Sequence, residues 1–217
     1  MIVMYGSRRR SLLPAIDVGR KLPEGYTPCK YLRSNANQGI NTLVTSANGT
    51  NRMIADIEYT SLKSGKQHMG FRGNDTWGAT GTVGTGYPIG GTLDIPFFSA
   101  GVRTVIDSLC EKPTGARKMW QDGVLVCNIS NTDTTIGYIN SLFYVNDGSV
   151  QTCNVKIYSA QVYLDDDIKW DGVPCLDPNG KPCFYDFVTQ TPFYNNRNTT
   201  TREFGYETED GTVVAPK

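Results

Sequence analysis

From residue 22 onward, apolar and polar residues alternate with the period of two that a β-strand imposes, not the 3.6 of a helix. Between Arg52 and Tyr59 the alternation is nearly complete. Met53, Ala55, Ile57 and Tyr59 fall on one face, and Arg52, Asp56 and Glu58 on the other; Ile54 alone is out of step. A strand of this kind has one dry and one wet face, as in an antiparallel sheet packed on one side. Residues 102–108 alternate more loosely. Residues 153–164 read as one long strand that changes parity, because Cys153, Val155 and Ile157 share a face while Ala160, Val162 and Leu164 fall on the other. A one-residue slip would turn core side chains outward, so the pattern predicts a bulge or bend near Tyr158 and Ser159.

The punctuation between these runs is turn chemistry. Asp122-Gly123, Asn146-Asp147-Gly148 and Asp177-Pro178-Asn179-Gly180 supply the residues that tight turns require. Residues 73–91, rich in glycine and threonine and carrying Trp77 and Tyr87, read as a long surface loop. Helix signals are nearly absent. Many short strands joined by turns predict an all-β fold, an antiparallel β-sandwich of the jelly-roll type. Residues 1–21 hold no period. They combine a short apolar start, three arginines (Arg8, Arg9, Arg10) and Leu12-Leu13-Pro14, and read as an extended N-terminal arm that orders by contact with something else. The sandwich is expected over 22–195, followed by a polar C-terminal extension, 196–217, with Glu203, Glu207, Glu209 and Asp210.

Charge narrows the function classes. The 217 residues hold 21 Lys plus Arg and 21 Asp plus Glu, a formal net charge of zero. Proteins that bind nucleic acid generally concentrate basic residues against phosphate, so general nucleic-acid binding is not expected. No apolar run approaches the length of a membrane-spanning helix. The positive charges follow the apolar start instead of preceding it, unlike a secretory signal, which points to assembly in a cytoplasm. There the six cysteines (Cys29, Cys110, Cys127, Cys153, Cys175, Cys183) are expected as buried reduced thiols.

Two blocks carry a family resemblance. The first is Leu22-Pro23-Glu24-Gly25-Tyr26-Thr27, then Tyr31-Leu32 and Gln38-Gly39-Ile40-Asn41-Thr42. The second is Lys156-Ile157-Tyr158-Ser159-Ala160-Gln161-Val162-Tyr163, then Val173-Pro174-Cys175, Asn179-Gly180, Phe184-Tyr185-Asp186 and Phe193-Tyr194. In order and spacing they resemble the concanavalin A-like lectin/glucanase (LamG-like) domains of phage and prophage structural proteins, over roughly residues 22–195. The family's Asn-Gly hairpin in the closing strands is replaced here by Asp165-Asp166-Asp167. The resemblance implies a lectin-like sandwich in a bacteriophage virion structural protein: a capsid decoration, head-fibre or tail-associated component assembled in the host bacterial cytoplasm. Its implied partners are other virion proteins (capsid, portal or tail) and further copies of itself in a homo-oligomer. It implies no ligand; the alternative reading is a carbohydrate-binding adhesin for host-surface glycans, with a glycan hydrolase behind it.

Glycoside hydrolysis needs two carboxyl groups flanking the bond. Asp56 and Glu58 share a strand face, but no third acid follows and a solvated outer face accounts for them equally well, so no catalytic residue is assigned and no enzyme is expected. The single His68 rules out a multi-histidine metal site. Asp165, Asp166 and Asp167 with Asp171 could attract calcium, yet they fit as turn formers; no cofactor is assigned. A carbohydrate site pairs an aromatic platform with amide and carboxylate groups, and Asn74, Asp75, Trp77 and Tyr87 are the candidates. Arg8, Arg9, Arg10, Leu12 and Leu13 are the candidate virion-anchoring residues, since arginine forks pair with carboxylates while the leucines dock beside them.

Overall fold

The computed structural model describes residues 20–35, 38–45, 49–61, 69–70, 72–73, 76–77, 99–111, 114, 116–130, 139–145, 151–152, 154–196 and 202–217. Among these, eighteen strands are placed: β1 (Thr27–Arg33), β2 (Ile40–Thr45), β3 (Thr50–Ser61), β4 (Met69–Gly70), β5 (Arg72–Gly73), β6 (Thr76–Trp77), β7 (Arg103–Glu111), β8 (Ala116–Gln121), β9 (Val124–Ser130), β10 (Ile139–Leu142), β11 (Tyr144–Val145), β12 (Gln151–Thr152), β13 (Asn154–Leu164), β14 (Asp167–Leu176), β15 (Pro182–Asp186), β16 (Thr191–Phe193), β17 (Gly205–Thr208) and β18 (Val213–Val214). The described residues contain no helix. The expected all-β antiparallel sandwich is what forms.

The large sheet runs β16-β15-β14-β1-β13-β3-β7-β8-β9, with β17 against β1 and β18 against β17; a smaller sheet runs β2-β10-β4. Neighbours far apart in sequence, β1 beside β13 and β13 beside β3, arise because the chain returns to the sheet by long connections. The core lies between the two sheets. Met53, Ala55, Ile57 and Tyr59 of β3 meet Ile106, Met119, Val155, Ile157 and Val162 of their own sheet and Ile40, Met69 and Leu142 of the smaller one. Aromatic rings close one end: Trp170 lies 5.9 Å from Phe184 and 5.8 Å from Phe193, and Phe143 lies 4.7 Å from Phe204.

The turns form where the sequence puts them. In β13–β14 the two-residue loop Asp165-Asp166 has φ of 50° and 67°, and in β8–β9 Asp122-Gly123 has 49° and 80°. Positive φ at both loop residues is the hairpin geometry that follows strand twist. The Asp122 carboxylate also accepts from Val105 N–H and the Thr104 hydroxyl, both at 2.8 Å. The bulge is present too. Ile157 pairs with Ile57 and Ser159 with Asp56, which leaves Tyr158 as the extra residue and returns Ala160 and Val162 to the core.

Of the expected segments, the C-terminal extension and the 73–91 loop differ from expectation. Residues 202–217 are part of the sandwich: β17 pairs with β1 from Cys29 to Arg33, and Phe204 is in the core. The arm expected over 1–21 is joined to the fold at Arg20, which contacts Asp171; Arg8, Arg9, Arg10, Leu12 and Leu13 lie outside the described residues. Within the expected 73–91 loop, Gly73 and Trp77 belong to the paired strands β5 and β6. Cys29, Cys110, Cys127, Cys175 and Cys183 are buried thiols, as expected. Burial pushes the Cys29 thiol up to about 12 and that of Cys127 to about 11. Cys153, His68 and Asn146-Asp147-Gly148 lie outside the described residues.

Candidate functional site

The outward face of the large sheet is built from the polar half of each alternating strand. On β3 and β7, Arg52 holds Asp107 through two parallel bonds of 2.8 and 2.6 Å, and Arg103 holds Asp56 through two of 2.8 and 2.7 Å. Fork-on-fork pairs of this kind fix the planes of both groups. One strand over, Lys156 donates to Glu58 at 2.8 Å and the Tyr158 hydroxyl donates to its other oxygen at 2.7 Å. The Arg103 guanidinium lies 3.8 Å from the Tyr158 ring centroid, within cation–π range.

This network fixes protonation. Burial raises the Glu58 carboxyl, but the bonds from Lys156 and Tyr158 outweigh it and hold the group below its ordinary range. Burial, and then the bond to Glu58, pushes the Tyr158 phenol up. Asp56 and Glu58, the strand-face carboxylates, are thus each engaged by a cation, and Glu58 is shifted away from the raised value a general acid needs.

Beside the network lies a groove of about 460 Å³. Arg103 and Tyr158 form one wall, Arg20 and Phe187 another, and Gln161 and Asp171 contribute polar groups. The Arg20 guanidinium contacts Asp171 and sits 5.5 Å from the Phe187 ring centroid. Gln161 donates to Asp171 at 3.2 Å and accepts from the Tyr163 hydroxyl at 2.9 Å. Asp186, fully buried, fixes the turn that carries Phe187: it accepts from Asp171 N–H at 2.7 Å and from the Thr189 hydroxyl at 2.6 Å. The groove offers two aromatic rings, two guanidinium groups, the Lys30 ammonium, an amide and two carboxylates, Asp171 and Glu209, a mixture suited to a polar ligand that also has a flat apolar face.

The sequence candidates fare differently. Asn74, Asp75 and Tyr87 lie outside the described residues, and Trp77 pairs with Arg72 between β6 and β5. The four aspartates considered for calcium are not brought together. The Asp165 carboxylate accepts from Thr50 N–H at 2.7 Å, Asp167 pairs with Lys169 at 3.2 Å, and Asp171 belongs to the groove. Among the described residues, no group of three or more His, Cys, Asp and Glu is placed to hold a metal ion. The groove itself escapes a reading of the sequence. Its one usable signal is the parity break at Tyr158, since bulges re-aim side chains next to binding sites.

No family model matches the chain, and no curated protein matches its sequence. Among solved structures, a native heptameric SAP-like pentraxin from Limulus polyphemus matches over 63% of this chain and 74% of its own, at 7% identity and a TM-score of 0.39. The alginate lyase AlgAT5 from Polysaccharide Lyase family 7 matches over 58% of this chain and 62% of its own, at 18% identity and a TM-score of 0.34. Both are distant likenesses.

Proposed function

We propose that the chain is a bacteriophage virion structural component, a capsid decoration, head-fibre or tail-associated protein, that displays its sandwich outward and joins other virion proteins through its leading residues. One observation carries this reading. The two blocks that resemble phage lectin-like domains, at opposite ends of the sequence, form one hydrogen-bonded unit: Leu32 of β1 pairs with Ile157 of β13, and Thr27 pairs with Leu176 of β14. Arg20, which follows the leading residues in sequence, is held to Asp171. In this role the protein binds and displays without catalysing, works as a homo-oligomer, and is assembled in the host cytoplasm. The test is a chain lacking residues 1–19 but keeping Arg20, produced during particle assembly. It folds with unchanged stability and is missing from purified particles; incorporation at the normal copy number would overturn the reading.

A second reading, attachment to host-surface glycan, is favoured by the groove, whose rings and hydrogen-bonding groups suit a sugar. A glycan array probed with the full chain and with Phe187→Ala tests it. Binding that is lost in the variant supports a groove site. Binding that survives in the variant but is lost in Trp77→Ala moves the site to β6 and the residues beside it, and an array without signal ends the glycan reading.

A further inference from the structure

Strands β14 and β15 place Cys175 directly opposite Cys183. Their Sγ atoms are 3.5 Å apart, and both residues are fully buried. The register makes this a hydrogen-bonded pair. Asp177 N–H donates to Lys181 O two positions beyond it, Phe187 N–H donates to Asp171 O four positions before it, and ladder bonds recur at every second pair. The alternate pairs hold the prolines, Pro174 opposite Phe184 and Pro182 opposite Leu176, where a missing N–H removes nothing from this ladder. Across a hydrogen-bonded pair the Cα atoms stand about 5.5 Å apart, inside the span a disulfide bridges. From this juxtaposition we infer that Cys175 and Cys183 are a modification site, a pair that closes into a cross-strand disulfide in an oxidising thiol buffer and staples the β14–β15 hairpin.

The surroundings select this pair. Cys29 is the third thiol of the neighbourhood, on the adjacent strand, but its Sγ points toward Thr27 O of its own strand, at 4.0 Å. Tyr185, Tyr26, Leu22 and Tyr194 cover the pair, so water and small reagents reach it when the hairpin opens. The hydrogen bond with Cys175, together with burial, also keeps the Cys183 thiol protonated in the closed fold, and exchange proceeds through the thiolate. The oxidant is a small disulfide such as glutathione disulfide. One cysteine thiolate attacks it, forming a mixed disulfide and releasing one glutathione thiolate. The second cysteine thiolate then attacks the protein sulfur of that mixed disulfide and expels the second glutathione. Two protein S–H bonds and one S–S bond become one protein S–S bond and two glutathione thiols, and the protein gives up two electrons and two protons. This inference does not depend on the virion role.

The test uses the full chain. It is opened in moderate urea with glutathione disulfide, returned to native buffer, then unfolded in concentrated urea containing iodoacetamide, and digested at Asp177 without reductant. The expected product is a fragment pair joined through Cys175 and Cys183, with neither residue alkylated, and the same pair from Cys29→Ser. The oxidised chain then unfolds at higher urea than the reduced chain, because the cross-link restricts the unfolded state. Alkylation of both Cys175 and Cys183, or linkage of either to Cys29 or another cysteine, overturns the inference. Because the primary readout is on the unaltered chain, it stands whether or not Cys29→Ser folds.

Discussion

Tyr158 is skipped in the backbone pairing of β13 with β3, and the hydroxyl it thereby turns outward donates to Glu58 of β3 at 2.7 Å. The bulge and the charge network are therefore one feature: the extra residue that restores Ala160 and Val162 to the core also caps a carboxylate on the opposite face. Tyr158→Phe keeps the ring beneath Arg103 and next to Tyr31, 5.5 Å away, and removes only the donor. The expected cost is about 1 kcal/mol, read as a lower urea midpoint at neutral pH. An unchanged midpoint would mean that core packing alone sets the bulge.

Glu58 and Asp177 make the fold acid-sensitive. Burial raises Asp177, but N–H bonds from Lys181 and Asn179 and the Tyr194 hydroxyl outweigh it, so its carboxyl, like that of Glu58, titrates below the ordinary range. A carboxyl lowered by folding binds its proton more weakly in the folded than in the unfolded state. Its contribution is complete above the unfolded value, about 4, and is lost as pH falls through the folded one. Urea midpoints measured against pH should stay level from neutral to about pH 5 and decline below about pH 4. Asp177→Asn turns an amide donor toward Tyr194 and no longer titrates, so it should be less stable at neutral pH and show a shallower acid limb.

These two sites also show what the residues disclosed in advance. The bulge was legible because parity is a local property: two apolar sets of opposite phase within 153–164 can share a core only if one residue is skipped. The Asp122-Gly123 turn was legible because positive φ selects few side chains, and the Asp165-Asp166 turn because the resembled family has a hairpin at that place. The groove was not, because Arg20, Arg103, Tyr158 and Phe187 come from four distant segments and none is unusual within its own. By composition the end of the chain reads as a polar extension, with its order left open. The signal that composition hides is that Phe204, Tyr206 and Thr208 alternate with Glu203, Glu207 and Glu209 at a strand's period, and Phe204 and Thr208 are buried.

Gly172 is a packing requirement. A Cβ there would lie 2.0 Å from Cη2 of Trp170, whose indole is fully buried and fixed by Phe184 and Phe193. Gly172→Ala therefore has to displace the largest side chain in the core, at an expected cost of about 3 kcal/mol. Near-ultraviolet circular dichroism should report the altered indole environment alongside a lower melting temperature. Adding Trp170→Phe to Gly172→Ala relieves the clash and should recover part of the loss. If the double variant is as unstable as the sum of the singles, the close approach of the two residues is not what Gly172 serves.

The two ends of the chain should respond oppositely to truncation. Removing residues 1–19 leaves Arg20 on Asp171 and every strand from β1 onward in place, so the midpoint should not move. Removing residues 202–217 takes β17 from the edge of β1, takes Phe204 from its 4.7 Å contact with Phe143, and strips the Gln38 side-chain amide of the Glu203 and Lys217 carbonyls to which it donates at 3.1 and 2.8 Å. Loss of the Phe204 ring alone is worth about 4 kcal/mol, a large part of the 5–15 kcal/mol that holds a typical domain folded. The shortened chain should lose cooperative unfolding and near-ultraviolet signal. Glu203→Ala, which breaks only the exposed pair with Lys217 at 2.9 Å, should cost almost nothing. That contrast separates a segment that completes the sandwich from one that merely decorates it with charge, and a stable, cooperative chain ending at residue 201 would contradict the first.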